Sequence, residues 1–494
     1  MELIVKDMDI ATGGTLVVIL NEEDAGRLDL HPLDRVKIGK GRRIETAIVD
    51  IAESSKAVPP GKIGLFEEVL DSLNVRHGSR VSLSVAHKPL SLDYIRKKLE
   101  GHILNKQEID QIVWDIVHNK LSQIEMTYFV AASYVHALTP QETYLLTKAI
   151  ASHGDTLKFN HGPIVDKHCI GGIPGNRTTM VLVPLVAAAG LTIPKTSSRS
   201  ITSPAGTADT MEVLASVSFS ARKMKTIVQK LNGCIVWGGA INLAPADDKI
   251  IQVEKPLGID AESQLLASIM AKKQSVSSTH LLIDIPVGNH AKVKSRKGAL
   301  HLKKEFEILA KKLGKRIKVL ITDGSQPIGN GIGPALEARD VLWVLRRHEK
   351  RPLDLEKKCL RMAAEVFKLC GIKNPSQKAK ELLDSGAAYR KMQQIIRAQG
   401  GNPSILPEDI PLGKFVYTQH ASKGGRIHAI HNSPVSHIAR IAGAPDDKGA
   451  GVYLHVHKGS VVKRGDKLFT LYAENRSKLA YARDMLRQLK MLDY

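Results

Sequence analysis

The apolar residues of this chain change their period three times, and each change restricts what that segment can fold into. Over the first 85 or so residues apolar and polar positions alternate in short runs. A weak internal repeat there aligns "AGRLDLHPLDRVKI" from Ala25 with "LDSLNVRHGSRVSL" from Leu70, so that Leu28, Leu30, Arg35, Val36 and Ile38 match Leu73, Val75, Arg80, Val81 and Leu83. Each copy predicts a short helical turn, a Pro or Gly turn and a strand, and two such halves predict a pseudo-twofold β-barrel. From Leu92 the spacing becomes three and four. "LDYIRKKLEGHILNKQEIDQIVWDIVHNKL" and "TPQETYLLTKAIASHG" predict helices up to about Gly154, with Thr139 as cap and Gly154 as stop. Strand-like "HLLIDIPV" and "IKVLIT" then alternate with helical "ESQLLASIMAKK" and "LEARDVLWVLRR", which favours a parallel or mixed sheet. From about Leu412 the alternation returns in "AGVYLHVHKGSVVKRGDKLFTLYA", with turns at Lys458-Gly459 and Arg464-Gly465-Asp466, and predicts a small hairpin-based terminal domain. The expected fold class is α/β multidomain: a β-barrel-like N-terminal domain, a helical domain, an α/β domain with a mixed sheet, and a small β-rich C-terminal domain.

Composition narrows the function. The chain has 494 residues, 43% of them apolar but only 4% aromatic. The cores are therefore aliphatic, and the stacking platforms of RNA-binding proteins are scarce. Cys169, Cys234, Cys359 and Cys370 are scattered without CxxC spacing, which argues against a disulfide framework or a zinc site and suits a reducing cytoplasm. "MELIVKDMDI" shows no signal-peptide pattern, and the longest apolar run, Met180 to Pro194, is too short to span a bilayer. A net charge of +21 attracts anions. Its densest runs, "KSRKGALHLKKEFEILAKKLGKRIK" and "RRHEKRPLDLEKK", read as solvated helix faces rather than a nucleic-acid site.

Four stretches carry candidate chemistry. "KHCIGGIPGNR", from Lys167, is either a tight bend or an anion cradle. Gly171, Gly172 and Gly175 permit close backbone approach, Lys167 offers charge, and a helix that would end at Gly190 follows, although Pro184 interrupts its hydrogen bonding. "KTSSRSITSPAGTAD" gathers Thr196, Ser197, Ser198, Ser200, Thr202, Ser203 and Thr207 around Arg199. Such a set grips phosphate oxygens, or simply caps the next helix. In "KPLGIDAESQLLASIMAKK", Asp260 is an N-cap or, with its pKa raised by burial, a proton donor; Ser268 and Lys272 lie one turn apart. "DIPVGNHAKV" and "ITDGSQPIGNGIG" are glycine-rich turns after strands, where α/β folds place ligands, with His290 and Lys292 as polar candidates. No set has metal-ligand spacing, so neither a metal nor a cofactor is expected.

The block "DKHCIGGIPGNRTTMVLVPLVAAAGLTIPKTSSRSITSPAGTADTMEVL" resembles the signature region of the thymidine/pyrimidine nucleoside phosphorylase superfamily. That region usually reads Lys-His-Ser-Thr-Gly-Gly, an apolar helix, Ser-Gly-Arg and Gly-Gly-Thr-Leu-Asp. Here Cys169 and Ile170 replace Ser-Thr and "SSRSITSPAGTAD" replaces the common loop, variants that look like the archaeal AMP phosphorylase branch. The resemblance implies residues 1–86 as the N-terminal extension and 87–160 as a helical domain to which 253–276 return. It implies 161–411 as the α/β domain and 412–494 as the C-terminal domain, with the site between the helical and α/β domains. It implies phosphorolysis of nucleoside 5′-monophosphates (AMP, with CMP and UMP) to free base and ribose 1,5-bisphosphate, by a homo-dimer or larger homo-oligomer in the cytoplasm. By matching position, Asp260 is the proton donor. Gly172, Ser198, Arg199, Ser200, Ile201, Thr202, Ser203, Thr207, Ser268 and Lys292 contact the nucleotide, while Lys167, Thr179 and Ser197, with Thr207, bind inorganic phosphate. Cys169 takes the place of a phosphate-binding serine, and a thiol is a weak donor.

Three alternatives remain at the sequence level. A thymidine/pyrimidine nucleoside phosphorylase would act on unphosphorylated nucleosides. A phosphoribosyltransferase would normally use a magnesium-diphosphate substrate, for which no acidic pair is positioned. A basic RNA-binding protein would need more aromatic residues.

Overall fold

The computed structural model describes residues 1–494 apart from 14–15, 87, 160–161, 201–202 and 259–260 and the side chains of 255 and 257. Strands β1 (Glu2–Asp7), β2 (Val17–Asn21), β3 (Arg35–Lys40), β4 (Arg43–Ala52), β5 (Lys62–Leu65) and β6 (Arg80–Val85) close into a barrel in the order β1-β5-β2-β4-β3-β6. Alternation does what it predicts: Leu3, Val5, Val18, Leu20, Val36, Ile38, Val81 and Leu83 point inward and are buried. The internal repeat is structural. Helices α1 (Glu22–Gly26) and α2 (Glu67–Leu73) precede β3 and β6, which pair antiparallel with Ile38 opposite Leu83.

Helices α3 (Ser91–Leu99), α4 (Lys106–Val117), α5 (Gln123–Val135) and α6 (Pro140–Ser152) follow. The last three each open with a capping box, Asn105 with Glu108, Ser122 with Glu125 and Thr139 with Glu142. Thr139 caps α6 as expected, while the helix stops at Ser152, two residues before Gly154. Ile109, Ile112, Val113, Phe129, Leu146 and Ile150 form its aliphatic core.

The next strands and helices are β7 (Val165–Cys169), α7 (Thr178–Ala188), β8 (Ile193–Ser197), α8 (Thr207–Glu212), α9 (Ala221–Leu231) and β9 (Gly233–Trp237). Then come α10 (Pro245–Leu257), α11 (Glu262–Ser275), β10 (His280–Val287), α12 (Arg296–Lys312), β11 (Arg316–Asp323), β12 (Gly331–Ile332), α13 (Pro334–Leu345), α14 (Leu353–Leu369), α15 (Pro375–Asp384) and α16 (Ala387–Ala398). β11, β10 and β7 form one parallel sheet and β8 and β9 another. α7 is buried on every side and runs through Pro184, whose missing N–H deprives one carbonyl of its helical donor. It packs against α14 and α16 through residues such as Val181, Leu185, Met362, Val366 and Ile395.

The C-terminal part adds β13 (Phe415–His420), β14 (Gly425–Arg426), β15 (Ala429–Ile430), α17 (Asn432–Ile441), β16 (Gly451–Leu454), β17 (Val461–Val462), β18 (Lys467–Ala473), α18 (Arg476–Met485) and β19 (Leu492–Asp493). β12, β16, β18 and β13 form an antiparallel sheet. The predicted β-character is present, but the hairpin reading needs correction. β17 leaves its neighbours to pair with β14, and two helices pack on the sheet, because Val435, Ile438 and Ala482 have apolar surface to bury.

The chain divides into two compact units, Met1–Gly154 with Ala244–Ala271, and Asp155–Leu243 with Lys272–Tyr494. In the first, Lys249 on α10 donates to the carbonyls of Ile116 (2.9 Å) and Val117 (2.7 Å), satisfying orphan acceptors at the end of α4. The same unit holds a fully buried ion pair, Lys98 with Glu142 at 3.0 Å. Glu142 also accepts from the N–H groups of Leu104 and Thr139. Burial raises its pKa, but those bonds and Lys98 outweigh it, and the net shift is downward. Lys98→Met should therefore strand a buried carboxylate and cost about 3–5 kcal/mol in urea denaturation. Adding Glu142→Gln, which keeps the acceptor without the charge, should return most of that loss.

Candidate active site

In the second unit the parallel order β11-β10-β7 sets three strand ends side by side, each followed by a glycine-bearing loop. Gly172 holds φ of +90°, and a Cβ there would lie 2.7 Å from the backbone nitrogen of Lys292. Only glycine allows this contact, which brings the loop after β7 against the loop after β10. Gly206, at the start of α8, would carry a Cβ 2.6 Å from the carbonyl of Ser198, so the hydroxyl loop lies directly on it.

Lys167, on β7, is buried, and its Nζ donates to the hydroxyls of Thr178 (2.9 Å) and Thr179 (3.4 Å) in the first turn of α7. Burial lowers its pKa. The positive end of the α7 dipole lies at the same place. Beneath sits Asp284 on β10, which accepts from Thr322 at 2.6 Å and pairs with Lys358 at 3.0 Å. Burial raises the pKa of Asp284, but Lys358 and Lys167 outweigh it and hold it below the usual range. Cys169 meets the same carboxylate at 3.4 Å, and Asn176 donates to its sulfur at 3.3 Å. Burial and then Asp284 push this thiol up, so it stays protonated and already bonded.

A second buried carboxylate, Asp166, takes two lysines, Lys273 at 2.7 Å and Lys195 at 3.7 Å. Burial and then Lys273 bring Lys195 down to about 7. His168 is pushed well below its ordinary value by burial and by Lys273, Lys195, Lys167 and Lys272, which makes it a neutral imidazole.

Ser197 ends β8, and the loop that follows turns on Arg199. This guanidinium binds Glu212 through two bonds (2.7 and 2.8 Å) and Asp209 at 3.1 Å, and lies 4.8 Å over the ring of Trp237. Its bond to Glu212 is the main reason its pKa is raised, and it draws Glu212 down to about 2. Arg199 thus shapes the loop and spends its charge internally. Asp209 also accepts from the N–H groups of Ser200 and Gly206, and Ser203 donates to the carbonyl of Ala205. Thr207 opens α8 and accepts from Arg177 at 3.0 Å.

Lys167, Gly172, Thr179, Ser197, Ser198, Arg199, Ser200, Ser203, Thr207 and Lys292 therefore form one chain of contacts or adjoining segments in the second unit. Ser268 lies half-buried on α11 in the first unit. Asp260, Ile201 and Thr202 lie outside the described residues. Sequence reasoning missed Arg177, which binds Thr207, donates to Ala205 and pairs with buried Glu337. It closes the quoted glycine stretch, and that position was the available signal. Asp284 was missed too, although a lone carboxylate in the apolar run "HLLIDIPV" is itself a signal. Lys358 had none, since it lies among surface-like charges. No group of three or more potential metal ligands occurs among the described residues.

Family models match three parts of the chain: the glycosyl transferase family helical bundle domain over residues 92–154, its a/b domain over 161–389, and the pyrimidine nucleoside phosphorylase C-terminal domain over 426–490. The chain is 47% identical to a protein named AMP phosphorylase from Pyrococcus furiosus, over 98% of this chain and 96% of the relative. It is 45% identical to AMP phosphorylase 1 of Archaeoglobus fulgidus (94% and 92%) and 44% identical to a putative thymidine phosphorylase of Legionella pneumophila (92% and 87%). Among solved structures, anthranilate phosphoribosyltransferase of Thermus thermophilus superposes with a TM-score of 0.52 at 18% identity, over 62% of this chain and 99% of that one, a likeness of fold.

The Arg199–Glu212 contact has a pH signature. A carboxylate lowered from 4.5 to about 2 on folding stabilises the fold fully above 4.5 and loses that contribution as pH falls towards 2. Glu212→Gln should cost about 1–2 kcal/mol at pH 7, allowing for partial exposure. The gap between wild type and variant in denaturation should close between pH 4.5 and 2.

Proposed function

This chain belongs to the AMP phosphorylase family, and we propose on that premise that it catalyses reversible phosphorolysis of nucleoside 5′-monophosphates. AMP is the leading substrate, with CMP and UMP also accepted, and the products are free base and ribose 1,5-bisphosphate. The observation that carries this reading is 47% identity to an AMP phosphorylase across 98% of the chain. The geometry supports it. Two anions, the attacking phosphate and the 5′-phosphate, have to share one site, and this site is built from lysines, hydroxyls and a helix N-terminus.

In this reading Lys167, Thr179, Ser197 and Thr207 hold inorganic phosphate. Thr178 and Thr179 fix the Lys167 ammonium at the start of α7. Gly172, the segment Ser198, Arg199, Ser200, Ile201, Thr202 and Ser203, together with Ser268 and Lys292, contact the nucleotide. Phosphate attacks C1′ as the glycosidic bond loosens into an oxocarbenium-like state, and the base leaves with negative charge developing on it. Fixed cations stabilise such a state without reorganising. Asp260 delivers the proton to the departing base. The four-part division of the chain given above, with 253–276 returning to the helical domain, is the frame for this assignment.

We also propose a homo-dimer or larger homo-oligomer, working in the cytoplasm. Ile124, Tyr128 and Val135 share one face of α5 and are exposed, with Leu99 and Ile103 exposed nearby in sequence, an apolar surface suited to a second copy. No helix among the described residues is long and apolar enough to cross a membrane.

The decisive assay compares AMP with adenosine and thymidine in the presence of phosphate. AMP should have the highest kcat/KM; faster turnover of the unphosphorylated nucleosides would establish the thymidine phosphorylase reading instead. Asp260→Asn should lower kcat about 10²–10⁴-fold with KM for AMP nearly unchanged, measured by base release. Ile124→Glu combined with Tyr128→Glu should reduce the mass seen by analytical ultracentrifugation to that of one chain.

A further inference from the structure

Within the first unit, a cleft of about 240 Å³ opens where the barrel meets the helices. Its walls carry four cations, Arg35, Lys37, Lys88 and Lys120, against one carboxylate, Asp115. Strand geometry explains the first pair: residues 35 and 37 are two apart on β3 and share its outer face. Thr46 on β4 stands directly opposite Lys37 and adds a hydroxyl to that wall. Arg35 is fixed by an ion pair with Glu125 of the α5 capping box, and Lys120 by the Trp114 ring, 4.0 Å from its Nζ, and by Asp115 Oδ1, also at 4.0 Å. Lys37 and Lys88 are exposed.

Asp115 limits what can bind. It is 1% exposed, its Oδ1 accepts from Gln111 at 3.1 Å, and its Oδ2 has no hydrogen-bond partner. A buried acceptor left unmade is costly, so the cleft suits a ligand that brings a donor as well as negative charge. Inorganic phosphate dianion brings a single O–H donor on the charged group itself, so it cannot meet Asp115 without setting its own charge against the carboxylate. The volume also exceeds its needs, since the cleft holds several waters.

We propose that this cleft is a second binding site, for a phosphate ester carrying hydroxyl or amino donors, a sugar phosphate or a nucleotide. Lys37 and Lys88 take the phosphate, with Arg35 and Lys120 adding to the field around it. Asp115 and Gln111 take the donors. Pro89 and Leu90, on the same wall, cover the less polar part of the ligand. None of these residues belongs to the phosphorolysis site, and the ligand class follows from the lining alone.

The test uses the full-length protein and three probes: AMP, ribose 5-phosphate and inorganic phosphate. Lys37→Glu combined with Lys88→Glu changes exposed side chains and should leave phosphorolysis unchanged. Calorimetry without added phosphate should show the wild type binding one more AMP per chain than the double variant. In the wild type, AMP and ribose 5-phosphate should protect Lys37 and Lys88 from acetylation at least tenfold better than inorganic phosphate does. Equal AMP stoichiometry in the two proteins, absence of protection, or equal protection by inorganic phosphate would each overturn the proposal. Because the comparison is a difference between wild type and variant, a failure of AMP turnover would count against the proposed function and not against this site.

Discussion

Everything around the candidate active site depends on accommodating lysines in a dry interior. An ammonium removed from water is expensive, and proteins tolerate it only with paired carboxylates and hydrogen bonds. Here Asp284 serves Lys358 by direct contact and Lys167 through its field, and Asp166 serves Lys273 and Lys195. Each carboxylate faces two cations, so the region retains positive charge that the protein itself does not neutralise. Under the proposed function an incoming phosphate supplies the missing negative charge. In the proposed function, the binding energy of the anion comes from a debt left by folding.

The same constraint explains the loops. A phosphate can approach Lys167 only if the chain beside it is narrow, and Gly172 lies so near Lys292 that any side chain would collide. Arg199 looks in sequence like an anion grip but is bound to Glu212 and Asp209. Its ion pairs hold the loop in shape, together with the bonds of Ser200 and Gly206 to Asp209 and of Ser203 to Ala205. Cys169 follows the same logic. A serine beside Asp284 would offer a strong donor; the thiol is weak, protonated and already engaged. At this departure from the common superfamily pattern the sulfur is packed between Asp284 and Asn176.

Much of this was legible in the sequence, for identifiable reasons. Period-two runs with inward Val36, Ile38, Val81 and Leu83, repeated in two copies, point to the barrel, and Thr139 announces its helix through the residue three positions on. The glycine and hydroxyl stretches were legible because their chemistry is local. Partnerships between distant strands were not. Asp284 with Lys358, or Arg177 with Glu337, follow from sheet order and helix packing, which no short window contains. Helices α17 and α18 were overlooked because the alternating strands around them carry the stronger periodic signal.

The central claim is that buried, under-compensated lysines await an anion. Calorimetric titration with sulfate, which does not itself titrate near neutrality, tests it most directly when repeated at pH 8 in buffers of different ionisation heat. Lys195 sits at about 7 in the unliganded protein, and burial lowers Lys167 as well. An arriving dianion favours the protonated form of both, so the account predicts net proton uptake. Sulfate binding with no proton exchange, or with proton release, would contradict it.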